Sequence, residues 1–356
     1  MKTQCLSGVQ DARRSGVELL RILAALAVVV MHFNYYPGGS GAADYASGFS
    51  AVFLNFLECI CISAVNVFLL ISGAFGSRSK RIRIRKLALL LLQTMVFGAA
   101  VSFASGIMTH DLTVSRMLKA LVPTNYYVTM YICLMLISPF INAGLERLSV
   151  SAVRKLVLAA VLVFSVYATL IDVLEEVSGV SFSGASPVGT GGSMGGYTFV
   201  HFALMYLLGA WLRREEDKLT AAIGMPLLAA GLALSAMLLY LWRAFLPGTA
   251  WMYSNPLVIA QACAQFMIFS RLRFSSRWIN RVASAAFTCF LIQGYALYFL
   301  NFEKIGTSAF PILAGTVVVV PLAVYALSFF VYFIWNAVIS RLFPEKAEGL
   351  TISAEG

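Results

Sequence analysis

Arg21 and His32 lie eleven positions apart in one apolar stretch, and Glu18 precedes Arg21 by three positions, the spacing of an i,i+3 ion pair. In an α-helix, eleven residues rise about 16.5 Å and turn through about 1100°, so both side chains fall on the same face. Ionisable groups within a membrane span are costly and mark candidate functional sites. The pair is interpreted as an arginine that binds an anion near one membrane surface and a histidine that acts as a base at greater depth; the alternatives are an arginine that only anchors the helix at the membrane surface and a histidine that only packs.

The composition is that of a membrane protein with several spans. Of the 356 residues, 60% are hydrophobic and 12% are charged, whereas soluble domains are about half apolar and about one quarter charged. Nearly the whole chain is needed for membrane spans. Residues 1–356 are therefore predicted to form a single integral-membrane domain, an all-α helical bundle with short tails.

Apolar runs divide the chain into ten predicted transmembrane helices. Their predicted limits are 17–36, 51–75, 87–108, 126–143, 156–175, 197–212, 221–245, 251–270, 283–301 and 309–340. The sixth span is short, and the tenth is long enough to tilt or to extend beyond the bilayer.

The distribution of the basic residues sets the orientation of these spans. With the N-terminus in the cytoplasm, 22 of the 26 Lys and Arg residues fall in cytoplasmic segments. The outer side holds only Arg116, Lys119, Arg243 and Lys304. Both termini are therefore predicted to be cytoplasmic in a multi-pass protein of the cell membrane. Because the basic residues cluster in short loops between apolar runs, the net charge of +10 does not indicate nucleic-acid binding.

Glu58 is the carboxylate that lies well inside a predicted span. Its span runs from the outer to the inner surface, which places Glu58 near the predicted depth of His32. It is expected to orient the imidazole and to stabilise its protonated form, as the carboxylate of a catalytic triad does; a pore-lining or interfacial position is the alternative. His201 and His110 are weaker candidates, and His201 is interpreted as structural.

The loop after the second predicted span holds six basic residues within nine positions, 78–86. One interpretation is a cytoplasmic docking site for a polyphosphorylated molecule, because guanidinium groups suit phosphate. The other is a loop that sets topology and contacts anionic membrane lipids.

Two predicted outer loops, residues 37–50 and 176–196, are rich in Gly and Ser. Such segments form flexible surfaces. They are expected to be either plain linkers or a mobile gate or platform for a substrate.

At these residues the chain resembles acyltransferase family 3, integral-membrane enzymes that acylate bacterial surface glycans. The resemblance rests first on Glu18, Arg21 and His32. It continues through segment 66–73, the Arg78-Ser-Lys-Arg81 spacing, and segments 126–140 and 206–212. One position departs from the pattern: family members often carry a His in the segment 290–293, where this chain has Gln293, which puts a role for that position in doubt.

The resemblance implies an acyltransferase whose donor is acyl-CoA, most often acetyl-CoA, bound at the cytoplasmic face. The acceptor would be a hydroxyl of a cell-surface polysaccharide or a lipid-linked sugar outside the bacterial membrane. His32 would deprotonate this hydroxyl or carry the acyl group itself, and Glu58 would orient His32. No metal is expected. The residues expected to hold the phosphates of CoA are Arg21, Arg78, Arg81 and Arg85.

A transporter or flippase for a glycan intermediate is the alternative, with His32 in a proton path. Ten spans and an intramembrane histidine suit that function equally well. The basic loop together with Arg21 favours the enzyme, because a transporter needs no site for CoA phosphates. A membrane scaffold for polysaccharide assembly is a third possibility. The expected partners of the enzyme are acyl-CoA, the glycan acceptor and membrane lipids, without nucleic acid.

Overall fold

The structure is a computed structural model. It describes residues 14–79, 81–108, 113–115, 118, 122, 125–343 and 351–353. Within this part of the chain the protein is a helical bundle, and its strands are one short antiparallel pair, Arg81–Arg83 (β1) and Thr351–Ser353 (β2). Seven described helical stretches are long and apolar enough to cross a membrane, and one of them is the stretch Gly48–Gly76, which consists of two consecutive helices. The predicted class, an all-α membrane protein with several spans, is confirmed.

The helices of the first half surround α1. They are α1 (Ser15–Asn34), α2 (Ala42–Tyr45), α3 (Gly48–Cys61), α4 (Ala64–Gly76), α5 (Ile84–Met108) and α6 (Tyr126–Arg147). α1 ends just before Pro37 and two glycines, which do not continue a helix. The predicted span 51–75 is built from α3 and α4, which meet at a turn at residues 62–63.

The second half supplies further long helices and several short ones. They are α7 (Val150–Ser178), α8 (Phe199–Arg214), α9 (Glu216–Ala222), α10 (Met225–Phe245), α11 (Pro256–Ser270), α12 (Arg277–Ala283), α13 (Ala286–Leu297), α14 (Phe302–Gly306) and α15 (Phe310–Leu342). α7 includes a π-helical turn at Leu162–Tyr167. α1 packs against α3, α4, α11, α12, α13 and α15, so it is the central helix of the bundle.

Each predicted span contains a helix, but three of these helices are short. α8, α11 and α13 have 16, 15 and 12 residues, or about 24, 22 and 18 Å, against a hydrocarbon thickness of about 30 Å. All three pack against α1 or α4 inside the bundle. A helix that ends within the membrane depth is tolerated where protein, rather than lipid, surrounds the irregular backbone.

Two glycines allow α4 and α8 to pack at close range. A Cβ atom added at Gly73 would lie 2.0 Å from the Tyr206 carbonyl oxygen, and one at Gly209 would lie 2.1 Å from the Leu70 carbonyl oxygen. Small residues at such contacts let two membrane helices approach each other. Both glycines belong to the segments that carry the family resemblance, so part of that pattern reflects helix packing.

The segments rich in Lys and Arg meet at one end of the bundle, named here the basic end. There Arg14 Nη1 donates to Glu216 Oε1 at 2.6 Å, and Ser15 Oγ donates to Asn280 Oδ1 at 3.0 Å. At the opposite end, Tyr36 Oη donates to the Gly294 carbonyl oxygen at 3.0 Å. These contacts follow the predicted alternation of the spans; which end faces the cytoplasm stays a prediction.

The loop between α7 and α8 is fastened in its second part. The Ser193 amide donates to both carboxylate oxygens of Asp172 at 3.0 Å, and the Tyr253 amide donates to the Gly195 carbonyl at 2.9 Å. These bonds attach residues 193 and 195 of the loop to neighbouring segments, and the flexibility expected of the loop stays a prediction.

Candidate functional site

α1 carries both Arg21 and His32. It is helical without interruption from Ser15 to Asn34, so Arg21 and His32 share a face at a rise of about 16.5 Å. Arg21 Nη1 donates to Glu18 Oε2 at 2.7 Å, and about 30% of the Arg21 side chain is exposed. The predicted ion pair between these two residues is confirmed, and the pair leaves part of the guanidinium accessible.

A cavity of about 220 Å³, named here the Arg21 cavity, lies beside the guanidinium. α1, α4, α5, α6 and α13 contribute to its walls. Tyr127 and Tyr131 stack with ring centroids 5.9 Å apart, and the Tyr127 ring lies 4.9 Å from that of Phe290. Ser72 supplies a hydroxyl to the same lining. The cavity thus combines one cation, several hydroxyl groups and aromatic walls.

The volume of the Arg21 cavity limits what it can hold. Pockets that enclose a whole small molecule have volumes of about 300–1,000 Å³, and this cavity is smaller. It suits a narrow, chain-like part of a larger ligand whose anionic groups remain near Arg21.

Gln293 is a buried amide near His32. It lies one helical turn beyond Phe290, which lines the Arg21 cavity, and its side chain is close enough to the imidazole to interact with it electrostatically. Gln293 is 2% exposed. The buried atoms Nδ1 of His32 and Oε1 of Gln293 have no hydrogen-bond partner among the described residues. The position at which the chain departs from the family pattern therefore lies near the candidate base, and each of the two side chains has an unsatisfied polar atom.

Glu58 lies against a different part of α1. Its Oε2 accepts a hydrogen bond of 2.9 Å from Asn34 Nδ2, and both side chains are buried. His32 and Asn34 are two positions apart, which separates them by about 200° around the helix. Within the described part of the chain, no hydrogen bond joins Glu58 to His32. The structure therefore gives Glu58 a hydrogen bond to Asn34 rather than to His32, and its role in orienting the imidazole stays a prediction.

The basic loop is held in place by a buried amide. Asn142 Nδ2 donates to the carbonyl oxygens of Gly76 and Ser79 at 3.0 and 2.7 Å. Tyr206 Oη donates to Asn142 Oδ1 at 3.0 Å. This network fixes the path of the chain from α4 into the loop that carries the arginines.

The arginines of this loop differ in their surroundings. Arg78 and Arg81 are exposed, whereas Arg85 donates to the Phe343 carbonyl oxygen. Leu90 lines the Arg21 cavity and lies five residues after Arg85, a rise of about 7.5 Å and a turn of about 140° around α5. The structure therefore directs Arg85 towards the end of α15, away from the face of α5 that lines the cavity, and places the other two arginines on the surface of the basic end.

His201, the other described histidine, belongs to a different hydrogen-bond network from Arg21 and His32. His201 is buried, and its Nε2 lies 2.8 Å from Asn66 Oδ1, while Asn66 Nδ2 donates to the Tyr253 carbonyl at 2.8 Å. These bonds link α8, α4 and the segment before α11, in keeping with the structural interpretation of His201. His110 lies outside the described residues.

Comparison with known families identifies one match. A model described as an acyltransferase domain, of acyltransferase family 3, matches residues 14–341 of the chain. The matched range includes Arg21, His32 and Gln293. No curated protein matches the chain, and no solved structure matches it.

Proposed function

Because the chain belongs to acyltransferase family 3, we propose that this membrane acyltransferase moves an acyl group, most often acetyl, from acyl-CoA to a hydroxyl of an extracytoplasmic glycan. The observation that supports this is the common face of α1 that Arg21 and His32 share, with Gln293 near His32. Aromatic side chains line the cavity beside Arg21. Family membership favours this enzyme over the alternative, a glycan transporter with His32 in a proton path.

In this proposal the basic end faces the cytoplasm and receives acyl-CoA. Arg21 binds a phosphate of the donor, and Arg78, Arg81 and Arg85 attract the remaining phosphates from the basic loop. The nucleotide stays at the surface because the Arg21 cavity, at about 220 Å³, accommodates only the narrow pantetheine arm. The arm then carries the thioester towards His32, across a rise of about 16.5 Å.

His32 acts as the general base, with Gln293 as its positioning residue. An amide oxygen only accepts hydrogen bonds, so Gln293 Oε1 selects the imidazole form with hydrogen on Nδ1 and leaves Nε2 as the base. Nε2 removes the proton of the acceptor hydroxyl, and the oxygen attacks the thioester carbonyl. The carbon–sulfur bond breaks, and the imidazolium returns its proton to the leaving thiolate. A route in which His32 carries the acyl group itself uses the same residues.

Calorimetric titration of purified protein with CoA tests the donor site. Arg21→Ala is expected to weaken CoA binding tenfold or more, because a hydrogen bond to a charged group contributes about 1.5–3 kcal/mol. Arg154→Ala is the matched control, since Arg154 is an exposed cation at the start of α7, at the same end. Equal affinity in the wild type and in Arg21→Ala would show that the donor binds elsewhere.

A further inference from the structure

Arg243 lies at the opposite end of the bundle, in the last turn of α10. Its guanidinium stacks over the ring of Trp251, with Cζ 4.5 Å from the ring centroid. The side chain is half-buried, and its Nε is buried without a hydrogen-bond partner among the described residues. A guanidinium donates hydrogen bonds and accepts none. At least one donor of this cation is therefore left without an acceptor in the described part of the chain.

No carboxylate among the described residues forms an ion pair with Arg243. Three carboxylates at this end bind other groups. Glu58 is hydrogen-bonded to α1, and Asp44 accepts from the amide of the residue before α2. Glu176 accepts two hydrogen bonds from segment 248–249. Because a partly buried charge is costly unless it is paired, an anion from outside the chain would complete the surroundings of Arg243.

The segment between α10 and α11 that carries Trp251 is held by hydrogen bonds. The Trp251 indole Nε1 donates to Cys59 Sγ at 3.3 Å, which fixes the ring under the guanidinium. Trp242 Nε1 donates to Thr249 Oγ1 at 3.0 Å. Asn255 Nδ2 donates to the carbonyl oxygens of residues 249 and 250, both at 3.3 Å. The cation is therefore mounted on ordered neighbours, which lowers the cost of fixing side chains when a ligand binds.

Tyr35 connects this cation to the candidate base. Its ring lies 5.1 Å from that of Trp251, and its hydroxyl donates to Asn55 Oδ1 at 2.7 Å. Tyr35 follows His32 by three residues, which is about 4.5 Å along the axis of α1 and about 60° around it. Tyr35, Asn55 and Trp251 are all partly exposed. These three side chains and Arg243 are named here the Arg243 site.

We propose that the Arg243 site binds an anionic substituent of the acceptor glycan, a carboxylate or a phosphate, and that Arg243 makes the enzyme prefer acidic acceptors. The inference rests on the proposed function, in which the acceptor enters from the opposite end. The planar fork of a guanidinium matches carboxylate and phosphate groups. The Tyr35 hydroxyl, which donates to Asn55, still accepts a hydrogen bond from a sugar hydroxyl.

Two other roles would also place an arginine here. The headgroup of an anionic lipid offers the same phosphate chemistry. A cation in the last turn of a helix also interacts favourably with the helix dipole. The first role predicts that an anionic lipid competes with an acidic sugar, and the second predicts no preference between sugars.

The test uses two probes that differ in one carboxylate, cellobiouronic acid and cellobiose. Each is titrated onto the purified full-length protein in nanodiscs of phosphatidylcholine, and Kd is measured by saturation-transfer NMR. Cellobiouronic acid is expected to bind about tenfold or more tightly than cellobiose, because a hydrogen bond between charged groups is stronger than one between neutral groups. Added salt is expected to reduce this preference.

Arg243→Gln is expected to remove the preference and to leave the Kd of cellobiose unchanged. Trp251→Leu is expected to weaken the preference, since the guanidinium loses the ring that orients it, whereas Trp251→Phe retains a ring and most of the preference. Lys304→Gln is the matched control: Lys304 is an exposed cation on α14, at the same end, and its loss is expected to leave the preference intact. Each variant is first checked by gel filtration and by Tm.

Equal Kd values for the two sugars, or no binding of either, would overturn the proposal. A preference that persists in Arg243→Gln would overturn it as well. Loss of the preference when phosphatidylglycerol replaces part of the phosphatidylcholine would identify a lipid headgroup as the occupant, with the same consequence. Because the assay contains no acyl donor, it separates this inference from the proposed function: absence of acyl transfer with an intact preference would contradict only the latter.

Discussion

Gln293→Met removes the amide that faces His32 while keeping the length and volume of the side chain. Gln293 is 2% exposed, so the substitution leaves little space to fill. In the proposed mechanism Gln293 Oε1 accepts a hydrogen bond from an imidazole that becomes charged during the reaction, and such bonds contribute about 1.5–3 kcal/mol. At about 1.4 kcal/mol for each tenfold change in rate, kcat is expected to fall by about 10- to 150-fold.

The assay is the release of CoA thiol from acetyl-CoA by the protein in proteoliposomes that contain host envelope lipids as the source of acceptor. The donor KM is expected to stay unchanged, because the residues of the Arg21 cavity are untouched. Gln293→Glu retains an oxygen that accepts the same hydrogen bond and is expected to recover most of kcat.

Gln261→Met is the matched control for this prediction. Gln261 is also a fully buried glutamine near the centre of the bundle, but its Nε2 donates to the Cys59 carbonyl and not to the reaction centre. Wild-type kcat in Gln293→Met would refute the positioning role. Equal losses in Gln261→Met and Gln293→Met would refute it too, since they would show a general effect of removing a buried amide.

Two further predictions concern packing and sidedness. Gly73→Ala is expected to destabilise the protein by about 1–3 kcal/mol, because the new methyl group meets the α8 backbone, and the effect is measured as a lower Tm in detergent. Gly144→Ala is the control: its Cβ would have no neighbour within 4 Å, so Tm is expected to stay unchanged or to rise. Equal shifts of Tm in the two variants would contradict the close packing of α4 and α8. A cysteine at Ser79 is expected to react with thiol reagents only after the membrane is permeabilised, whereas one at Ser183 reacts in intact cells once reactive native cysteines are replaced. Labelling of both from outside would overturn the proposed orientation.

Local patterns were sufficient for the features that depend on one helix. Hydropathy predicted the apolar segments, and the helical period predicted the common face of Arg21 and His32 as well as the pair with Glu18. The lengths of α11 and α13 were overestimated, because a hydropathy run continues through the irregular backbone that other helices bury, whereas the short sixth span has the predicted length in α8.

Contacts between distant segments could not be predicted in the same way. Depth in the membrane placed Glu58 near His32, but depth does not determine the direction in which a side chain points around α1. Gln293 carried a usable signal, a polar amide in an apolar run, yet only the packing of α13 on α1 brings it near His32. The bond from Ser193 to Asp172 likewise joins residues 21 positions apart.

Mass spectrometry of surface glycan tests the central claim most directly. Glycan from cells that produce the wild-type protein would be compared with glycan from cells that produce His32→Gln at the same membrane level. His32→Gln keeps a side chain of similar size that forms hydrogen bonds but cannot accept the proton. Glycan from cells with the wild type is expected to carry the added mass of an acyl group, and glycan from cells with His32→Gln is expected to lack it. An undiminished increment with the variant would contradict the assignment of His32 as the base.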